Sequence, residues 1–495
     1  MDLNELRREI DRIDGEMIRL FGERMKVAQK IAGYKKERGL PVLDPVRERE
    51  KLDAIAAANP ELCPYITELY GRVFEISRAY QQSVIGEGEA GGFGLLGGSL
   101  SHSHSPLIHS MLGDYSYELF ERDPDGAREF ILSGDWSGLN VTIPYKKLAF
   151  TLCGEVSDTA EKCGSVNTLI RRNGKIYGDN TDYFGFLATV RESGVGIGGK
   201  KCLVLGSGGA AGAVRAVLSD LGAGEIVTVS RGGEDNYENI TRHADADIIV
   251  NATPVGMYPE NGARPVDISL FPRLSGVFDL IFNPLKTKLI LDAEKRGVPS
   301  RGGLLMLVAQ AKKSSDLFLG RTSDDAIIRE IAAELEKRVR NVVLVGMPGC
   351  GKTTVGKIVA ERLGRPFVDT DSEIERAAGE PIKDIFAKYG EEYFRTLEEK
   401  AVGDAGKLAG AVVSVGGGAV MREANRDALR QNGVVVYLMR DTGSLPREGR
   451  PLSEGADLSR MRREREPYYK AVADAEIEND DPGHAADGII EVIRR

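Results

Sequence analysis

Gly346, Gly351, Lys352 and Thr353 fit G-x-x-x-x-G-K-T directly after the apolar run VVLV, with Gly349 and Thr354 in the same stretch. Such a loop turns backbone N–H groups onto phosphate oxygens, while its lysine reaches the terminal phosphates and its threonine hydroxyl holds magnesium. A second glycine turn, Gly206, Gly208 and Gly209, lies between CLVL and the helical stretch AAGAVRAVL, so its backbone can approach a pyrophosphate. The next apolar run ends at Ser230 and Arg231, where an NAD site would place a ribose-binding acid; a basic residue there suits a 2′-phosphate and favours NADP(H). Near the amino terminus Arg24 and Lys35 are eleven residues apart. That is about three helical turns, so both point to one face. Cations facing a helical interior suggest a bound anion, whereas on a solvated face they are ordinary surface charge. His102 and His104 have no carboxylate or cysteine cluster beside them, so zinc is not expected.

These residues need elements to hold them. The chain has 495 residues, too many for one hydrophobic core, and about 100 to 200 residues per domain predicts three units, or four. With 42% hydrophobic and 28% charged residues it has the composition of a packed protein, and a net charge of -9 argues against a general polyanion binder. The five cysteines form no C-x-x-C pair, the first residues lack a signal-peptide core, and no run of about 18 apolar residues occurs. A reducing cytoplasm is therefore expected, with no membrane span and no nucleic-acid partner.

Leu3, Leu6, Ile10, Ile13, Met17 and Leu20 begin a helical apolar spacing that continues to Ile31. Pro41 and Pro45 interrupt it, a second helix is predicted from about Arg47, and a third follows Pro64 to about Val84. Three helices make a poor core alone, so a homodimer through this segment is expected. Residues 86–92, GEGEAGG, have linker composition. After Phe93 short apolar runs alternate with helical stretches, and a charged helix at about 322–340 leads into the strand before Gly346.

Three ordered sets of segments carry resemblances. FVDTDSEIE, GEEYFRTLE, VVSVGGGAV, GRPLSEG and REREPYY resemble shikimate kinases over about 340–495. That resemblance implies that Asp369 helps hold magnesium and that Asp371 faces the attacking hydroxyl and accepts its proton. It also implies that Arg395, Arg465 and the backbone at Gly417 hold shikimate, and that Arg450, or Arg447 in its place, belongs to a lid over ATP. LSHSHSPLIH, LNVTIPYKK, CGSVNTL, GDNTDYFGF, NATPVGM and GGLLMLVAQ look like shikimate dehydrogenases over about 93–320. Here Ser103, Ser105, Thr142, Asn167 and Gln310 are implied substrate contacts, and Lys146 with Asp182 the catalytic pair. Phe282 departs from the common tyrosine, and His104 from a frequent lysine. LNELRREIDRID, ERMKVAQKIAGYKK, GLPVLDPVRERE and FEISRAYQQ resemble all-helical chorismate mutases over about 2–85. The implied roles are Arg24 and the partner chain's Arg7 on the carboxylates, Arg47 in support, Lys35 and Gln81 on the ether oxygen, and Asp44 and Glu48 on the ring hydroxyl. Ser77 also falls on a matching position.

The expected fold is therefore multidomain. It comprises an all-α domain at 1–86, a two-lobed α/β dehydrogenase at 93–335, and an α/β P-loop kinase at 340–495. The dehydrogenase divides into a substrate lobe at about 93–190 plus a C-terminal helix and an NADP Rossmann lobe at about 195–300. The expected function is that of a trifunctional enzyme using NADP(H), ATP and Mg2+. The alternative is a bifunctional dehydrogenase and kinase whose helical module only dimerises or senses an aromatic metabolite.

Overall fold

The computed structural model describes residues 2–38, 51–52, 54–55, 62–85, 91–100, 103–172, 175–441 and 458–494. They fall into two compact units. The first takes in Met1–Ser157, Val166–Asp179 and Ser314–Arg321; the second takes in Asp158–Ser165, Asn180–Lys313 and Thr322–Arg495.

The first unit opens with α1 (Leu3–Arg38) and α2 (Cys63–Ile85), which pack on one another. Among their described side chains, those buried are Ala28, Ala32 and Phe74, together with the polar Ser77 and Gln81. Leu6, Ile10, Ile13 and Met17 of the apolar stripe on α1 remain exposed. One copy of this helix pair therefore cannot cover its own hydrophobic face.

The same unit holds a six-stranded sheet of β1 (Gly92–Gly97), β2 (Tyr117–Glu121), β3 (Trp136–Val141), β4 (Glu155–Val156), β5 (Thr168–Arg172) and β6 (Lys175–Asp179). Its order is β2-β1-β3-β5-β6-β4, with β1 parallel to β2 and β3, and β5 antiparallel to β3 and β6. Helices α3 (Ser105–Leu112), α4 (Pro124–Ser133) and α5 (Lys146–Leu152) belong to this lobe. Trp136 is buried at the start of β3, where its indole N–H donates to the Phe130 carbonyl at 2.9 Å and the Arg171 guanidinium lies 4.4 Å from the ring.

The second unit starts with α6 (Asp158–Cys163) and α7 (Thr181–Ser193). A five-stranded, all-parallel sheet follows, with order β11-β10-β9-β7-β8, built from β7 (Lys201–Leu205), β8 (Glu225–Val229), β9 (Ile248–Asn251), β10 (Gly276–Asp279) and β11 (Ser300–Arg301). Helices α8 (Gly209–Asp220) and α9 (Lys288–Lys295) alternate with its strands, and α10 (Leu304–Leu319) follows them, its residues up to Lys313 in this unit and those from Ser314 in the first. The sequence reading places 93–190 together in a substrate lobe, yet α7 belongs with the second unit. Phe186 and Val190 explain this, because they pack in one cluster with Val204, Val250 and Phe278 of the parallel sheet.

Helix α11 (Ala326–Val339) then leads through Arg340 alone into β12 (Asn341–Val345), the central strand of a third sheet. Its order is β13-β14-β12-β15-β16, all parallel, with β13 (Phe367–Asp369), β14 (Val412–Ser414), β15 (Gly433–Met439) and β16 (Ala475–Glu478). Around it stand α12 (Lys352–Leu363), α13 (Thr370–Ala378), α14 (Ile382–Gly406), α15 (Glu423–Asn432), α16 (Leu458–Val472) and α17 (Pro482–Arg494). All five residues of NVVLV in β12 are buried, the continuous pattern of a parallel strand covered on both faces.

Candidate active sites

Strand β12 delivers the chain into the phosphate-loop sequence at one end of the third sheet. Gly346, Gly349 and Gly351 have φ of 148°, 85° and 100°, which glycine tolerates far better than residues with a Cβ. Asn479 braces the loop by donating to the Cys350 carbonyl at 2.6 Å. The Lys352 ammonium is buried and donates to the carbonyls of Gly346 at 2.9 Å and Met347 at 3.1 Å. Thr353 donates its hydroxyl to Asp369 at 2.8 Å, and the other Asp369 oxygen accepts from the backbone N–H groups of Asp371 and Ser372, capping α13.

A cavity of about 670 Å³ joins this loop, including Thr354, to Asp371, Arg395, Gly417 and Arg465. Asp371 has a buried Oδ1 with no partner among the described residues. Burial first, and then the neighbouring Asp369 carboxylate, push its carboxyl up to about 6, against the pull of Lys352. Arg395 donates to the buried Glu398 at 2.8 Å and to the exposed Glu391 at 2.9 Å. Tyr469 ties the GGG turn down by donating to the Gly417 carbonyl at 2.5 Å. A Cβ at Gly416 would lie 2.7 Å from Asp371 Oδ1, so the turn must be bare there. Thr353 and Asp369 together offer a hydroxyl and a carboxylate beside the loop, oxygen donors suited to Mg2+. Arg447 and Arg450 lie outside the described residues.

The second glycine turn follows β7. Gly206 has φ 108°, and a Cβ there would lie 2.9 Å from the Thr253 methyl; a Cβ on Gly208 would meet nothing within 4 Å. Gly208 caps α8 and Gly209 is its first residue, so the turn places an open N-terminus beside unfilled space, as a dinucleotide pyrophosphate requires. Ser230 follows β8 and donates its backbone N–H to Asp235 at 3.0 Å; Arg231 is exposed next to it. Deeper in this lobe, Asp279 accepts from Thr287 at 2.7 Å, from the Ile281 N–H at 3.0 Å and from Asn251 at 3.1 Å. Burial pushes its carboxyl up to about 6 against those three donors.

In the six-stranded sheet, the residues after β1 and β3 and before β5 share one end. Ser103 accepts from the Ser105 N–H at 3.2 Å. Thr142 follows β3, whose Val141 donates its N–H to the Asn167 carbonyl at 2.8 Å. Asn167 Oδ1 also accepts from Thr168 at 3.1 Å. Lys146 is the half-buried first residue of α5 in this unit. Asp182, buried in the first turn of α7, and Gln310, whose side chain donates to the Leu307 carbonyl at 2.9 Å, belong to the other unit. Phe282 is half-buried after β10.

Between α1 and α2, the Arg24 guanidinium lies 5.7 Å from the Phe74 ring centre, with Nη1 buried and without a partner among the described residues. Ser77 and Gln81 continue the Phe74 face at helical spacing. Gln81 donates weakly to Ser77 at 3.5 Å while its own Oε1 is buried without a partner among the described residues. Lys35 is half-buried and Arg7 exposed. Asp44, Arg47 and Glu48 lie outside the described residues.

Several residues that shape these sites carry no strong sequence signal. Glu398, buried under Arg395, is one of two adjacent glutamates, and burial raises its carboxyl against the arginine's pull. Asn479 is 128 residues beyond Gly351. Gly212 is different: it stands four residues after Gly208, and a Cβ there would run into the Cys163 carbonyl, so the glycine pattern could have flagged it.

The chain matches three families in order: chorismate mutase type II over residues 6–82, the shikimate dehydrogenase substrate-binding domain over 95–169, and shikimate kinase over 348–494. Among curated relatives, a shikimate dehydrogenase (NADP(+)) of Clostridium beijerinckii is 36% identical over 246 residues, covering 46% of this chain and 91% of the relative. One from Methanopyrus kandleri is 37% identical over 284 residues, covering 51% and 98%. A solved chorismate mutase/shikimate 5-dehydrogenase fusion from Clostridium acetobutylicum is 37% identical, covers 50% of this chain and 98% of its own, and superposes with a TM-score of 0.48. The architecture is that of a multidomain enzyme with two nucleotide-type α/β domains behind a helical one. Its central segment belongs to the shikimate dehydrogenase family, with a chorismate mutase type II domain before it and a shikimate kinase domain after it.

Proposed function

We propose that the chain is a trifunctional enzyme of aromatic amino acid biosynthesis. It rearranges chorismate to prephenate, reduces 3-dehydroshikimate to shikimate with NADPH, and phosphorylates the 3-hydroxyl of shikimate with ATP and Mg2+. The observation that carries this reading furthest is the single cavity that unites Lys352 and Thr353 with Asp371, Arg395 and Arg465, the groups needed to hold a phosphoryl donor against a hydroxy acid. Thr353 and Asp369 hold the magnesium, which neutralises phosphate charge when bound. Lys352 leaves its carbonyl partners for the terminal phosphates. Arg395 exchanges the exposed Glu391 for the shikimate carboxylate, with Glu398 keeping its guanidinium in place. Asp371 orients the attacking hydroxyl and takes up its proton.

In the dehydrogenase, the Gly206–Gly209 turn holds the NADP pyrophosphate, Arg231 meets the 2′-phosphate, and Ser230 lies beside it. NADPH supplies the hydride. Ser103, Ser105, Thr142, Asn167 and Gln310 are the substrate contacts, and Lys146 delivers the proton to the carbonyl oxygen, with Asp182 the other catalytic residue that the resemblance implies. In the helical domain, Arg24 and a second copy's Arg7 grip the two carboxylates of chorismate, while Lys35 and Gln81 donate to the ether oxygen as negative charge builds there. The orphaned Arg24 Nη1 and Gln81 Oε1 support a polar occupant between α1 and α2. The exposed apolar stripe on α1 supports a homodimer. The proposed compartment is the cytoplasm, with the domains at 1–86, 93–335 and 340–495 acting on separate small molecules.

Incubating the protein with 3-dehydroshikimate, NADPH and ATP-Mg2+ and following products by mass tests two activities at once; shikimate 3-phosphate is expected. Chorismate supplied separately should yield prephenate, and Lys35→Ala should abolish that conversion while sedimentation still reports a dimer. Absence of prephenate with the unaltered chain would leave the helical module a dimerising or sensing element.

A further inference from the structure

The kinase sheet and the dinucleotide-type sheet belong to one compact unit, although the sequence reading separates them at about 340. Two helices bring their cores together. On α9, Leu289, Ile290 and Ala293 are buried in the core of the β7–β11 sheet. On α15, Leu429 is buried in the core of the β12–β16 sheet. The polar faces of these helices meet. Asp427 on α15 pairs with Lys288 at 2.9 Å and Lys295 at 2.9 Å, and Lys295 also reaches Glu423 at 2.8 Å.

Neutral groups continue the contact and are more deeply buried. The Gln431 side chain donates to the Asn261 carbonyl at 2.9 Å and bonds the Asn261 side chain, and the Gln431 carbonyl accepts from the Lys286 N–H at 2.9 Å. Asn432 accepts from the Leu285 N–H at 3.0 Å. Tyr258 adds a bond of 3.0 Å to the Gly406 carbonyl. Gln431 is 2% exposed and Asn432 4%, so water reaches neither while the contact is closed. The connection is also short of slack. Ile328, Ile331 and Leu335 of α11 are buried, Arg329 pairs with Glu192 of α7, and Arg340 alone separates α11 from β12. A flexible linker between independent domains would show none of this.

We propose that the kinase domain and the nucleotide lobe of the dehydrogenase are docked through the α9–α15 contact as a single cooperative unit, so that dinucleotide held at the Gly206–Gly209 turn stabilises the kinase fold as well as its own lobe. The second clause rests on the NADP reading above; the first does not. Docking makes the two folds open together. A ligand that binds only the closed state of such a unit raises the stability of all of it.

Hydrogen exchange of the full-length protein across a urea series, read by mass spectrometry, separates the outcomes. Peptides containing Val342–Val345 and Val434–Leu438 should lose protection at the same urea concentration as peptides containing Cys202–Leu205 and Ile248–Asn251. Asp427→Ala combined with Gln431→Ala should split that transition, with the kinase strands opening first. Lys295→Ala is the milder variant and should give a smaller split in the same direction. Added NADP+ should move both sets upward in the unaltered chain and only the β7–β9 set in the double variant. Separate transitions in the unaltered chain overturn the proposal. If NADP+ moves neither set while the transitions still coincide, the cooperative unit stands and the dinucleotide reading of the turn is what fails.

Discussion

The kinase cavity and the cleft between α1 and α2 each contain an arginine proposed to meet a substrate carboxylate, but they keep it in opposite ways. Arg395 is already paired with the buried Glu398 and the exposed Glu391, and Lys352 with two loop carbonyls. Arg24 rests over Phe74 with one buried nitrogen unmatched, and Gln81 likewise keeps an unmatched oxygen. The cations of the first site are already matched in the free protein, although Asp371 keeps one unmatched oxygen there, so on the proposed function they work by exchanging partners. On the same proposal the arginine of the second works by acquiring them, from a ligand or a second chain. An unmatched buried polar group costs about 1–3 kcal/mol, so the helical site is poised at the expense of its own stability.

The most damaging change should be Asp371→Asn, expected to lower kinase kcat by about 10²- to 10⁴-fold while shikimate still binds. Because the Asp371 carboxyl is pushed up to about 6 and the proposed proton acceptor is its ionised form, kcat/KM should fall as pH drops below about 6 and level off above it. A profile flat from about pH 5 to 8 would sink that role. Next in size is Arg395→Ala, which strands the buried Glu398 and should destabilise the kinase fold by about 3–5 kcal/mol in urea titration, with Glu398→Gln in the same chain recovering most of the loss. Gly416→Ala forces a methyl group against Asp371 and should cost about 1–3 kcal/mol, with kinase activity reduced and dehydrogenase activity untouched in parallel assays. The smallest stability effect should come from Arg24→Ala. Removing an unmatched donor should leave helical-domain stability within about 1 kcal/mol, even as chorismate turnover is lost. If calorimetry instead finds Arg24→Ala as destabilising as Arg395→Ala, the contrast between an unmatched and a matched arginine is wrong.

What could be read from the chain divides along the same physical line. The loop from Gly346 to Thr353 is local, and its glycine spacing states its backbone geometry outright. The strand before it is buried on both faces and reads as an unbroken apolar run. Helix α1 is equally legible from its apolar period, although that period says nothing about what covers the stripe. The groups that escape notice act across long separations. Glu398 matters because α14 folds it beneath Arg395, and Asn479 because β16 ends beside the phosphate loop. The assignment of α7 to the nucleotide lobe is hidden for another reason: its sequence reads as helix wherever it packs, and only Phe186 and Val190 against Val204 and Phe278 decide the matter. The α9–α15 contact is harder still, because its Lys, Asp, Gln and Asn residues have the composition of any solvated helix face.

Trp136 is the chain's single tryptophan, packed beneath Arg171 in the six-stranded sheet. Light absorbed at the red edge of the protein's ultraviolet band is thus emitted from one known place. That emission will follow melting, quenching and ligand arrival in the substrate lobe, and an equilibrium curve drawn from it measures that lobe rather than the whole molecule.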